Sequence, residues 1–293
     1  MTGVFLGREA LGDGLSRHDL RRWYRPLFRG VYIPKNATPS LGDRALGAWL
    51  TTDRTGVIAG VVASALHGAQ WVNDDEPVEV LVGERRRQAG LVIRMDRLAD
   101  DEVTAVEGLP VTTASRTAFD IGRNLKRAAA LARLDALARA THVPTSGVEE
   151  LMRRYGPVRG VRQLRELLPL IDVGAASPKE SWLRLLLIDG GLPIPETQIP
   201  VLDGGIPFAY LDMGYRDIKL AFEYDGDQHR TDRRQYVRDF RRLPVVERLG
   251  WEVIRVIAED RPAEVLCRAR EAYRRRGGAE IDEMARFTRT FAA

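Results

Sequence analysis

The stretch Lys219-Leu220-Ala221-Phe222-Glu223-Tyr224-Asp225-Gly226 decides the fold of the C-terminal part of the chain. Its apolar and aromatic residues predict a β-strand that ends at the glycine. Because residues two apart on a strand share a face, Glu223 and Asp225 are expected to project together, opposite the two aromatic residues. A preceding strand over 208–213 carries Asp212, and pairing of the two strands would bring this third carboxylate near the others.

A helix is predicted upstream of these strands, over 177–189. Ser177 is a suitable N-cap and Pro178 suits the first helical position. Glu180 at the third position would complete a capping box, which is a purely structural role. A helix followed by strands and then by further helical and strand segments predicts an α/β domain over 176–293, with a mixed sheet flanked by helices.

The clustered carboxylates predict a catalytic site that binds a cation. Acids gathered at strand ends repel one another unless a cation or a proton relieves the repulsion. Mg²⁺ (or Mn²⁺) prefers oxygen ligands, and the bound ion can polarise a phosphodiester and activate a water. His229 is placed to move a proton to or from that water, and the alternative is an exposed turn residue without a role. Asp212, Glu223 and Asp225 are therefore candidate catalytic and metal-binding residues of a phosphodiester hydrolase.

The order of these elements over 177–276 resembles the PD-(D/E)XK nuclease superfamily, and within it the Vsr-like branch. The matching residues are Glu180, Asp212, the run 223–226, His229, Arg238, Asp239 and the run 250–255. The resemblance implies that Asp212 and Glu223 are the principal metal ligands, often joined by the carbonyl of Tyr224. It also implies that Glu180 is an additional catalytic and metal-binding carboxylate.

One position departs from the superfamily pattern. A lysine usually stands two residues beyond the strand carboxylate, where it orients the attacking water, but this chain has Asp225 there. In one interpretation His229, Gln228 or Lys179 supplies the missing function, and Asp225 is available for a second ion. In the other, the domain has lost hydrolysis and kept its fold. Aspartate at this place is common in Vsr-like domains, which favours activity.

The positive charge of the chain is concentrated at its N-terminus. Lys and Arg number 45 against 41 Asp and Glu, and the first forty residues hold seven of the cationic and three of the anionic side chains. The whole formal charge of +4 therefore lies in this segment. A locally basic segment fits the phosphate backbone of a nucleic acid.

The first forty residues also predict a small helix-turn-helix that ends in a β-wing. Residues 12–15 form a turn, residues 16–24 a short helix with Ser16 as its N-cap, and residues 26–34 a turn and a strand. The Gly-Leu-Ser, Asp-Leu and Phe-Arg-Gly-Val-Tyr elements of this segment resemble the winged-helix domain of AbiEi-type antitoxins. That resemblance implies DNA binding for autoregulation of transcription, whereas the alternative is a basic cap on the rest of the protein.

The middle region, 41–175, resembles the non-catalytic middle of AbiEi-like proteins. Ser64 and His67 lie there in an apolar run and are interpreted as a core pair rather than as catalytic residues. Arginines in the N-terminal helix and after the carboxylates are candidate nucleic-acid contacts, although such runs are often solvated faces. These candidates are Arg17, Arg21, Arg22, Arg230, Arg233 and Arg234.

We therefore predict an α/β chain, α+β overall, in three parts: a winged-helix module (1–40), a mixed α/β middle (41–175) and a restriction-endonuclease-like domain (176–293). The predicted function is cleavage of DNA with Mg²⁺ or Mn²⁺, the N-terminal module delivering the substrate. The alternative is a DNA-binding regulator or antitoxin-like protein with a catalytically silent nuclease-like domain and a toxin-like partner. Duplex, damaged or branched DNA and RNA stay open as substrates, and cutting both strands would require a homodimer.

Composition narrows the class of protein. With 44% hydrophobic and 29% charged residues, the 293-residue chain fits a globular protein. It has no apolar run of eighteen residues and its start lacks a signal-peptide pattern, so a cytoplasmic protein without a membrane partner is expected. A single cysteine, Cys267, and four histidines leave little material for a zinc site, which favours carboxylates as ligands of any metal.

Overall fold

The computed structural model describes residues 3–83, 88–225 and 242–279. The contacts divide the chain into two compact units. Unit 1 comprises Met1–Leu125 and Leu137–Leu168, and unit 2 comprises Lys126–Ala136 and Pro169–Ala293. The predicted winged-helix and middle segments thus fall largely into one unit instead of two. Within the described ranges, no helix is both long and apolar enough to span a membrane.

Unit 1 begins with the predicted helix-turn-helix and wing. In chain order its first elements are β1 (Phe5–Leu6), α1 (Gly7–Gly12), α2 (Arg17–Trp23), β2 (Tyr24–Phe28) and β3 (Val31–Pro34). The three strands form a sheet in the order β1-β3-β2, and β3 is antiparallel to both neighbours. The arrangement matches the predicted winged helix, with β2 and β3 as the wing.

The rest of unit 1 is a five-stranded mixed sheet with helices. Its elements are α3 (Leu41–Thr51), β4 (Val57–Ala59), α4 (Gly60–Leu66), β5 (Val78–Leu81), β6 (Leu91–Arg94), β7 (Val103–Val106), β8 (Leu109–Thr112), α5 (Ala114–Asn124), α7 (Thr145–Tyr155) and α8 (Val161–Leu167). The strand order is β6-β5-β4-β8-β7, and α5 contacts α4, α7 and α8. Helix α6 (Arg127–Thr141) begins in unit 2 and ends in unit 1.

The winged-helix segment and the five-stranded sheet share one hydrophobic core. Phe28 and Val31 of the wing belong to the same buried cluster as Ile58 and Val80 of the sheet. A segment of about forty residues rarely buries enough apolar surface to fold alone. The contacts accordingly group the first forty residues with the five-stranded sheet in unit 1.

Unit 2 contains a four-stranded sheet in the order β12-β11-β10-β9. Its elements are α9 (Pro178–Asp189), β9 (Glu196–Asp203), β10 (Ile206–Tyr215), β11 (Leu220–Asp225), β12 (Glu252–Ile257) and α10 (Pro262–Arg275). Strands β9, β10 and β11 are antiparallel, whereas β12 runs parallel to β11. The described residues 242–248 are also helical.

Helices cover both faces of this sheet. On one face, Leu183 of α9 packs with Met213, Phe222 and residues of α10. On the other face, Val246 packs with Leu211 and Trp251. The mixed sheets with flanking helices confirm the predicted α/β, α+β overall, fold class.

Candidate acidic site and nucleic-acid interface

Strands β10 and β11 bring Asp212 and Glu223 together. In the antiparallel register Met213 lies opposite Phe222, so Asp212 and Glu223 occupy the next positions on the two adjacent strands. The backbone N–H of Tyr224 donates to Asp212 Oδ2 at 3.2 Å. The two strands approach closely at Gly214, where a Cβ atom would lie only 2.2 Å from the carbonyl oxygen of Leu220. Glycine at this position therefore permits the close approach.

The alternation of β10 breaks at Asp212. Leu211 belongs to the core cluster on one face of the sheet and Met213 to the cluster on the other face, although residues two apart on a regular strand share a face. In the neighbouring β9, Gln198 has a positive φ of 50°, which is unusual for a residue other than glycine. This irregularity lies beside the point where Asp212 turns towards β11.

Asp212 is strongly perturbed by its surroundings. The pKa of Asp212 is raised from 3.8 to about 7, first by burial and then by the nearby negative charges of Glu180 and Glu223. The Tyr224 N–H and the positive charge of Arg242 lower it by less. A half-buried carboxylate with other carboxylates around it is a feature of functional sites, and also a place where a cation would be stabilised.

Glu223 has two differently used oxygens. Its side chain is 10% exposed, and Oε2 accepts a hydrogen bond from Arg242 Nη2 at 2.7 Å. Arg242 Nη1 also donates to the carbonyl oxygen of Tyr210 at 3.1 Å. The second oxygen of Glu223, Oε1, is buried and has no hydrogen-bond partner among the described residues. One oxygen is therefore held by a cation and the other is available to a ligand.

Glu180 caps the start of α9, but its carboxylate reaches the backbone of Ala176, one residue before the N-cap Ser177, instead of closing the predicted capping box on Ser177. The hydroxyl of Ser177 accepts from the Glu180 backbone N–H at 3.2 Å and donates to Glu180 Oε1 at 3.0 Å. Glu180 Oε2 accepts from the backbone N–H of Ala176 at 2.8 Å. Its negative charge still acts on Asp212, but both oxygens already have partners. Metal binding by Glu180 stays a prediction.

Asp225 belongs to a separate ion pair. It lies opposite Ile257 on the parallel strand β12, and Arg255 of that strand donates to its Oδ2 at 2.5 Å. Lys179 lies 5.5 Å from the ring centre of Tyr224, so it stacks on a neighbour of the carboxylates. In the described part of the chain, no three or more His, Cys, Asp or Glu side chains are grouped as a metal site.

Several predicted residues lie outside the described ranges. These are Gln228, His229, Arg230, Arg233, Arg234, Arg238 and Asp239. Arg242 and Arg255, which pair with the two carboxylates of β11, are not among the predicted site residues. Arg255 reaches Asp225 because β12 pairs in parallel with β11, and a sequence pattern alone does not give that register.

The second helix of the helix-turn-helix presents its arginines to solvent. The hydroxyl of Ser16 accepts from the Asp19 backbone N–H at 3.0 Å, which confirms it as the N-cap of α2. The one buried side chain of α2 is Leu20, while the predicted contacts Arg17, Arg21 and Arg22 are exposed. The last residue of α2, Trp23, is 57% exposed, and the Arg22 guanidinium lies 4.8 Å from its ring centre.

The middle of the chain is similar to a known domain family. Residues 54–170 match the family model described as the AbiEi antitoxin C-terminal domain. This finding supports the predicted AbiEi-like resemblance of the middle region. The nuclease resemblance of residues 177–276 receives no support from this match and stays a prediction. No solved structure matches the chain.

Two relatives from Mycobacterium tuberculosis match most of the chain. They are named uncharacterized protein MT2308 (strain CDC 1551 / Oshkosh) and uncharacterized protein Rv2248 (strain ATCC 25618 / H37Rv). Each is 35% identical over 242 residues, which cover 82% of this chain and 86% of the relative. The match is long and close enough to show common descent: the chain belongs to the same family as these two mycobacterial proteins.

Proposed function

We propose that this protein is a DNA-binding regulator of the antitoxin type, which contacts DNA through α2. The exposed arginines of α2 carry the proposal. Arg17 and Arg21 are four residues apart and therefore lie on the same face of the helix. The second helix of a helix-turn-helix is the one that enters the major groove, and arginines on it contact phosphates and bases.

Two further features support DNA binding by this module. The wing, β2 and β3, follows α2 directly, and its turn carries Arg29. In the described part of the chain Arg29 is exposed and makes no hydrogen bond or ion pair, so its charge is available to a phosphate.

The AbiEi antitoxin match of residues 54–170 supports the antitoxin interpretation and, with it, a toxin partner. Rescue of growth by this chain, when a toxin encoded beside it is expressed, would test that partner.

Replacing both Arg17 and Arg21 with glutamine is expected to weaken DNA binding by at least ~tenfold and to lower its salt dependence. Each lost phosphate contact reduces the slope of log K against log salt concentration by about 0.9, so the double variant should lose about 1.8. Fluorescence anisotropy with a labelled duplex from upstream of the protein's own gene, at several salt concentrations, measures both quantities. Point substitutions are preferable to deletion of 1–40, which would open the shared core.

The matched control is Arg162→Gln, which changes an arginine of α8 whose side chain is 79% exposed. This variant removes one positive charge from unit 1 outside the helix-turn-helix, so the slope of log K against log salt concentration should change little. A double variant with the wild-type slope would show that α2 does not contact phosphates, and it would overturn the proposal.

A second candidate function is metal-dependent cleavage of a phosphodiester, carried by Asp212 and Glu223. Two observations support it. The elements follow the order helix, three antiparallel strands, helix and parallel strand, and the pKa of Asp212 is raised. The donors fit a hard divalent cation, because Glu223 Oε1 is an orphan oxygen and Asp212 has a single hydrogen bond from the described residues. Mg²⁺ or Mn²⁺ is often held by two carboxylates and waters.

In this candidate the two carboxylates would hold the ion, which when bound supplies a Lewis acid and an activated water. The chain's own residues orient the site: the Tyr224 N–H fixes Asp212, and Arg242 fixes Glu223. Metal binding by Asp225 and proton transfer by His229 belong to the same candidate and stay predictions. A homodimer, needed to cut both strands, is likewise a prediction.

Incubation with labelled supercoiled, branched and single-stranded DNA and with RNA, in Mg²⁺ or Mn²⁺, tests this second candidate. Asp212→Asn and Glu223→Gln should lose cleavage, while Asp203→Asn, in the exposed hairpin turn, should retain it. Cleavage that persists in both site variants would come from a contaminant or another site. DNA binding without cleavage by the wild-type chain would leave the regulator as the function.

A further inference from the structure

We propose that Arg242 is the resident counter-ion of the acidic pair and competes with a divalent cation for Glu223. The inference rests on the second candidate function and assigns a role to a residue outside the superfamily pattern. Arg242 Nη2 lies 2.7 Å from Glu223 Oε2, and its Nη1 donates to the Tyr210 carbonyl oxygen at 3.1 Å. The guanidinium is thus held between two strands, beside the carboxylates.

The charges of the site explain the competition. Glu180, Asp212 and Glu223 are close enough for their charges to interact, and the pair Asp225–Arg255 is neutral in itself. Arg242 is the cation that hydrogen-bonds to this group in the described part of the chain. A divalent ion on the orphan Glu223 Oε1 would lie near the positive charge of Arg242, and burial limits the screening of that repulsion.

A phosphate would relieve this repulsion. The guanidinium group binds phosphate and carboxylate with the same bidentate geometry, so a phosphate of bound nucleic acid is an alternative partner for Arg242. Release of Glu223 Oε2 would give the cation a second oxygen and remove the nearby positive charge. Nucleic acid and metal would then strengthen each other's binding, as thermodynamic linkage requires.

Titration of the full chain with Mn²⁺, following free Mn²⁺ by electron paramagnetic resonance, tests the proposal. Arg242→Gln should bind Mn²⁺ ~tenfold more tightly than the wild type, because a nearby positive charge is lost. Arg242→Lys keeps the charge and should stay close to the wild type. The matched control is Arg216→Gln, which breaks the exposed pair with Glu196 on the same sheet and should change nothing. Arg242→Met is the second neutral variant if glutamine disturbs folding.

Each outcome separates the proposal from its competitors. A purely structural role for Arg242 would make Mn²⁺ binding weaker in the glutamine and methionine variants, and this result would overturn the inference. Unchanged affinity in both variants would overturn it as well, while leaving metal-dependent cleavage standing. If neither the wild type nor any variant binds Mn²⁺, both this inference and the second candidate function fail.

Discussion

Replacing Arg116 with methionine is expected to destabilise unit 1 by about 3 to 5 kcal/mol, because two buried carboxylates lose a cation. The Arg116 side chain is 1% exposed; it pairs with Glu102, and its Nε donates to Asp120 Oδ2 at 2.8 Å. Burial alone would lower the pKa of Arg116, but the charges of Asp120 and Glu102 outweigh this effect and raise it. The buried guanidinium is therefore charged.

Urea unfolding followed by circular dichroism measures the loss. The control Arg162→Met removes an exposed arginine 3.6 Å from Glu166, and surface pairs of this kind contribute less than about 0.5 kcal/mol. A loss below about 1 kcal/mol for Arg116→Met would contradict the expectation. It would mean that Tyr155 and Arg154 hold Glu102 well enough without Arg116.

The parts of the fold that follow from local pattern could be predicted. The alternation over 219–225 predicts β11, and Ser177 with Pro178 predicts the start of α9. The glycine pair of the β9–β10 turn also carries a signal, since Gly204 and Gly205 both have positive φ values, 59° and 85°. A turn of two such residues suits the twist of a hairpin.

Other features depend on contacts between distant residues, which no local pattern reports. The apolar run 57–68 divides into β4 and α4 at Gly60, whose φ is 62°. A Cβ atom there would lie 2.2 Å from Glu79 Oε1 of β5, so a side chain at this position would have to displace the Glu79 carboxylate. The shared core of the wing and the five-stranded sheet is likewise a tertiary property, which no pattern within residues 1–40 reports.

The candidate site shows the same division. The sequence predicts that Asp212 and Glu223 meet, because strand pairing follows from the hairpin. It does not predict that Arg242 and Arg255 reach these strands, because the helical stretch 242–248 and the parallel strand β12 place them. Arg242 stands at the end of an arginine-rich run that is equally typical of a solvated helix. The structure, by contrast, gives this arginine a specific carboxylate partner.

Replacing Asp212 with asparagine is expected to raise the free energy of unfolding at pH 8 by roughly 4 kcal/mol. Burial, with Glu180 and Glu223, raises the pKa of Asp212 from 3.8 to about 7 in the folded protein. The folded state therefore binds this proton more tightly than the unfolded chain, and the charged form costs about 1.36 kcal/mol per unit of the shift. Asparagine has no charge and keeps an oxygen that can accept the Tyr224 N–H.

The sign of the effect with pH follows from the same shift. Below the unfolded pKa the carboxyl is protonated in both states, so asparagine gains little; between pH 4 and 7 the gain grows by roughly 1.4 kcal/mol per pH unit, and above the folded pKa it stays constant. Urea unfolding of Asp212→Asn and the wild type at pH 5 and pH 8 measures this growth, with Asp203→Asn as an exposed control. An equal gain at both pH values would assign the effect to packing. A pH-dependent gain would show that the wild-type chain retains a carboxylate that destabilises the metal-free fold. A cation that relieves the same repulsion should then stabilise the wild type at pH 8 more than it stabilises the asparagine variant.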